Sequence, residues 1–132
     1  MTRHNPSAGD SRLERGKRAL AEIDDEAGHK VVAALADIAP DFAIYLFEFP
    51  FGDIYSRPGL GLRDREIATI AALAAMGTAR PQLKVHIEAG LNVGLSQEEV
   101  VEILMQMAVY AGFPAALNAL FAAKEVFQQR GE

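Results

Sequence analysis

The chain has 132 residues, half of them apolar, with 13 basic and 18 acidic side chains and a net charge of −5. That length is one domain by the ordinary prior, and the acidic balance excludes a protein that must neutralise a run of nucleic-acid phosphates. Cysteine is absent, which removes disulfides, thiolate metal sites and thiol nucleophiles together and suits a cytoplasmic location.

No stretch of about 18 apolar residues occurs, so a membrane span is not expected. Residues 1–10 are polar and lack an apolar stretch; they read as a disordered tail rather than a secretory leader. Residues 11–132 are expected to form a single helical domain. Ser11 suits the cap of a first helix running to about Ile23, whose mixed charges mark a solvated face. A second helix, about Asp25 to Ala39, places Val31, Val32, Leu35 and Ile38 on one face and ends at Pro40. Asp41 then caps a short segment to about Phe49 that is apolar nearly all round. Pro50, Gly52 and Arg57-Pro58-Gly59 predict a turn-rich connector.

The next helix spans about Arg63 to Met76, and Gly77 suits the residue just past its end. Pro81 fits the first turn of a helix that carries Leu83, Ile87 and Leu91 and stops at Gly94. Ser96-Gln97-Glu98-Glu99 is a capping box that opens a helix through Val109. Gly112-Phe113-Pro114 predicts a corner, and a last helix runs to about Gln129 with Leu117, Leu120, Phe121 and Phe127 apolar. Strand signals are missing throughout, so the expected fold is all-α, a bundle of about six to seven helices.

Few residues can carry chemistry. His4 falls in the tail and His29 sits among polar residues, whereas His86 stands beside the apolar stripe of its helix. A histidine there is either a satisfied structural group or a site residue. Glu66 is the second candidate. Acidic groups favour a first helical turn, but Glu66 stands directly against an apolar run, where a carboxylate can orient a histidine from a neighbouring helix. His86 has no ligand-type residue at helical spacing, and the chain shows no H-x-x-x-H, H-E-x-x-H or E-x-x-H pattern, so no metal is expected. No phosphate loop and no G-x-S-x-G nucleophile turn occur. Arg57, in a loop before Pro58, is either a two-pronged carboxylate clamp or a surface partner of Asp53. Tyr110 is either a hydroxyl placed in a cleft or a partly buried aromatic.

Three stretches resemble the carboxymuconolactone decarboxylase family. They are Arg57-Pro58-Gly59-Leu60 with the run from Leu62 to Leu73, the run from Leu83 to Gly94, and the run from Glu98 to Ala116. The resemblance implies an alkylhydroperoxidase D-like helical fold, a ring-like homo-oligomer (a hexamer or trimer), and family positions at Arg65-Glu66 and His86. One branch of the family carries a C-x-x-C pair seven and four residues before that histidine. Ala79 and Gln82 stand there here, which excludes dithiol peroxidase chemistry. The decarboxylase branch needs neither cysteine nor cofactor, and its substrate is a small acidic lactone. The expected roles are then His86 as proton donor, Glu66 as its orienting group, and Arg57, Arg65 and Tyr110 as substrate contacts. The alternatives are an isomerisation or proton transfer on another small carbonyl acid, or a non-catalytic oligomeric binding protein. Either enzyme needs a cleft of about 300 Å³ or more at His86 and Glu66. The dense apolar segment from Phe42 to Phe51 supplies surface for self-association.

Overall fold

A computed structural model describes residues 11–131, and among them every regular element is helical. In chain order these are α1 (Arg12–Leu35), α2 (Pro40–Leu46), a π-helical segment (Phe47–Tyr55), α3 (Leu62–Met76), α4 (Arg80–Asn92), α5 (Gln97–Ala111) and α6 (Phe113–Gln129). The expected all-α class and helix number hold. The expected tail, with His4, lies outside the described residues. Among the described residues no helix is long and apolar enough to cross a membrane. The chain divides into two compact units, Met1–Leu62 and Arg63–Glu132.

In the first unit, Ser11 caps α1 by accepting a hydrogen bond from the Glu14 amide at 3.0 Å. The two helices expected around residue 24 are one run broken at Asp24, whose backbone is extended (φ −165°, ψ 88°). The Asp24 carboxylate accepts from the Ala27 amide at 3.1 Å, so it caps the second half much as a separate helix would be capped. Pro40 opens α2 instead of merely closing the helix before it. Its missing N–H costs nothing in a first turn, and Asp41 becomes a first-turn acid rather than the cap.

The connector expected from Pro50 onward is also corrected, because the chain stays helical to Tyr55. Bonds in π turns reach back five residues. Pro50 therefore removes one such bond, and the wider turn spreads the carbonyls its ring would otherwise meet. Phe47 and Phe51 are buried on this segment, while Phe42, Ile44 and Phe49 are exposed.

The π segment packs along α1 at two glycines. A Cβ on Gly16 would collide with the Phe47 carbonyl, and one on Gly52 would lie 2.5 Å from the Arg12 carbonyl oxygen. Arg12 donates to Asp53 through Nε (3.1 Å to each oxygen) and Nη2 (2.7 Å), with Arg15 3.6 Å away. The hydrogen bond from Arg12 holds the Asp53 carboxyl below its ordinary range.

In the second unit the core gathers Ile70, Ala74, Leu83, Ile87, Leu95, Val100 and Leu104 with the inner face of α6. That face is built from small residues, Ala116, Ala119, Ala123 and Val126, which let α6 lie close on α4 and α5. Leu117 and Phe121, apolar as expected, point outward with Phe113, and Met105 and Val109 are exposed on α5. Gly77 (φ +74°) and Gly94 (φ +116°) take the left-handed conformations that end α3 and α4. The expected capping box is present, with Ser96 accepting from the Glu99 amide at 3.0 Å and Glu99 accepting from the Ser96 amide at 2.9 Å. Arg63 bonds the other Glu99 oxygen and so ties the start of α3 to the start of α5.

Two predictions follow from these contacts. Gly16→Ala and Gly52→Ala should each cost about 2–3 kcal/mol in chemical denaturation, since a backbone carbonyl cannot swing aside. Gly59→Ala, with nothing near its Cβ, should stay within about 0.5 kcal/mol. The second prediction concerns acid. The hydrogen bond from the Ser96 amide, with help from Arg63, lowers the Glu99 carboxyl below its ordinary 4.5. A depressed carboxyl contributes stability above its unfolded value and loses it as pH falls through the folded one. The stability gap between wild type and Glu99→Gln should therefore shrink as pH drops from neutral towards about 3. A gap that stays constant with pH would refute it.

Candidate functional site

α3 and α4 bring the two residues singled out in the sequence together. Glu66 lies in the second turn of α3 and is fully buried (0% exposed). His86 lies in the middle of α4 with its ring 18% exposed. Its Nδ1 is 2.8 Å from Glu66 Oε1, across 20 residues of sequence. α3 can place a carboxylate inside because Ile70 and Ala74, one and two turns on, anchor the same face in the core. α4 does the same for the imidazole through Leu83 and Ile87.

The electrostatics follow from burial. An ionised carboxylate away from water needs a charged or hydrogen-bonding partner, and His86 is that partner. With Glu66 ionised, Nδ1–H donates to Oε1, which sets the tautomer and leaves Nε2 for another bond. The second oxygen, Oε2, is buried and has no hydrogen-bond partner among the described residues. The pair can therefore hold an imidazole in one orientation and support positive charge on it, which is what a proton donor or acceptor needs.

The remaining candidates are placed as follows. Arg65 is half-buried beside Glu66 on α3. Its carbonyl accepts from Thr69 Oγ1 at 2.9 Å. Tyr110 is 81% exposed near the end of α5. Arg57 is exposed in the first unit, where its amide donates to the Ile54 carbonyl at 3.1 Å, while Asp53 is engaged by Arg12 and Arg15. Among the described residues no three His, Asp or Glu side chains are grouped as a metal site requires. A hollow of about 390 Å³ opens in the first unit, lined by Leu20, Gly28, Val32 and Phe47 with Lys17, Asp25 and His29 around them. It includes neither His86 nor Glu66, so it is not the cleft expected at that pair.

One residue near the pair entered the sequence reading only as a non-ligand at helical spacing from His86. Gly90 is buried in α4, one turn beyond His86, and the end methyls of Ile70 and Leu95 close on it. A glycine inside a helical pattern costs about 1 kcal/mol against alanine, which points to a packing reason.

Residues 40–125 match the sequence profile of the carboxymuconolactone decarboxylase family. The chain is 37% identical over 97 residues to 4-carboxymuconolactone decarboxylase of Acinetobacter baylyi, covering 74% of this chain and 72% of that one. It is 28% identical over 121 residues to an uncharacterized 15.0 kDa protein of Paracoccus denitrificans, covering 91% and 90%. It is 27% identical over 78 residues to the nitrosuccinic acid decarboxylase of Metarhizium robertsii, covering 59% and 54%.

Proposed function

The chain belongs to the carboxymuconolactone decarboxylase family, and from that premise we propose that it removes carbon dioxide from a small carboxylated lactone without a cofactor. The observation that carries the reading is the 2.8 Å bond between a fully buried Glu66 and a partly exposed His86. The absence of cysteine supports it, since a dithiol route is closed.

The chemistry needs little beyond these groups. The bond from the ring carbon to the carboxylate breaks and its electron pair moves through the ring double bond onto the lactone carbonyl. Carbon dioxide leaves, and a dienolate oxygen carries the charge. His86, protonated and held by Glu66, stabilises that oxygen and returns a proton to carbon. A well-placed donor to such an oxyanion contributes about 3–4 kcal/mol, and proton transfer adds roughly 10²–10⁴-fold. Arg65, next to Glu66 on α3, supplies a cation of the kind a carboxylate substrate requires.

The similarity to the nitrosuccinic acid decarboxylase favours a second form of the reading, in which the same pair decarboxylates a different small acid. Self-association into a trimer or hexamer belongs to the proposal as well. The exposed Phe113, Leu117 and Phe121 on α6, with Val109 on α5, support it.

Carbon dioxide release from 4-carboxymuconolactone is the direct test. Wild type should turn it over, and His86→Ala should lose roughly 10²–10⁴-fold while staying folded. Glu66→Gln should lose less. Full activity in folded His86→Ala would remove the histidine from the mechanism. An inert wild type that releases carbon dioxide from another small acid would move the conclusion to the second form. Light scattering checks assembly: a monodisperse species of several subunits is expected, and a monomer at high concentration would refute it.

A further inference from the structure

Gly90 stands inside α4 at a position where a helix disfavours glycine. Its backbone is not in the left-handed region, so conformation does not demand glycine there. Space does. A Cβ built on Gly90 would lie 2.9 Å from Ile70 Cδ1 and 2.9 Å from Leu95 Cδ1. Neither methyl can move off freely, because Ile70 and Leu95 are 0% and 4% exposed within the packed core. Leu95 is also tied to this turn by its backbone, since its amide donates to the Gly90 carbonyl at 2.9 Å.

The spacing links this contact to the pair described above. Ile70 follows Glu66 by one turn of α3, and Gly90 follows His86 by one turn of α4. We propose that Gly90 is a positioning residue, whose lack of a side chain lets Ile70 and Leu95 close on α4 and thereby fixes the reach between Glu66 and His86. A bond of 2.8 Å has little slack, because hydrogen bonds weaken steeply beyond about 3.2 Å. A methyl at position 90 pushes on Ile70 and lengthens the bond at its neighbouring turn. The consequence for turnover rests on the decarboxylase reading; the consequence for the imidazole does not.

The test uses the full chain with isotope-labelled histidine. In wild type the His86 Nδ1–H proton should give a slowly exchanging, downfield signal that disappears in Glu66→Ala. Gly90→Ala should keep its helical circular dichroism but broaden that signal or move it towards the Glu66→Ala state. Gly90→Ala with Ile70→Val, which removes the α3 methyl of the two in the way, should restore it. On whichever acid wild type decarboxylates, kcat should fall about tenfold to a hundredfold in Gly90→Ala with KM little changed, and recover in the double variant. An unaltered signal in folded Gly90→Ala overturns the proposal whatever the activity shows. Should Gly90→Ala not fold, the double variant decides: folding with the signal supports the proposal, and folding without it overturns it.

Discussion

A carboxylate with no exposure to water, bonded through one oxygen to an imidazole, is the constraint that the second unit must satisfy. Burying that group is unfavourable unless its partner is held in place. The apolar anchors on either side offset it. Ile70 and Ala74 hold α3, and Leu83 and Ile87 hold α4. The pair is thus a property of the core as much as of the two residues.

What could be read in advance divides by distance along the chain. Caps and stops are local, and they were legible: the reciprocal bonds of Ser96 and Glu99, the positive φ of Gly77 and Gly94, and Pro81 in a first turn. Prolines were harder because one residue type carries opposite meanings. Pro40 begins a helix and Pro50 sits inside a π segment, yet both read as breaks. Which of the two applies depends on where neighbouring carbonyls lie, and that is a matter of tertiary packing.

The Glu66–His86 contact spans two helices, and no spacing rule states that such residues meet. Its legibility came from burial arguments at each residue and from the resemblance of the surrounding motifs. On α6 the pattern of large apolar residues does not by itself tell the inner face from the outer one. Alanines face the core, and Leu117 and Phe121 face out. Hydrophobicity ranks residues by burial, but close helix packing ranks them by size.

The meeting of α1 with the π segment works differently from a side-chain core. At Gly16 and Gly52 main chain lies against main chain. Interlocking side chains can be reshuffled by paired changes, one growing as another shrinks, so a sequence can wander there over time. Polypeptide carbonyls have no smaller version to offer. Leu20 and Ile23 on the same helix can therefore drift together with their neighbours, while positions 16 and 52 act as fixed points that no compensating substitution can release.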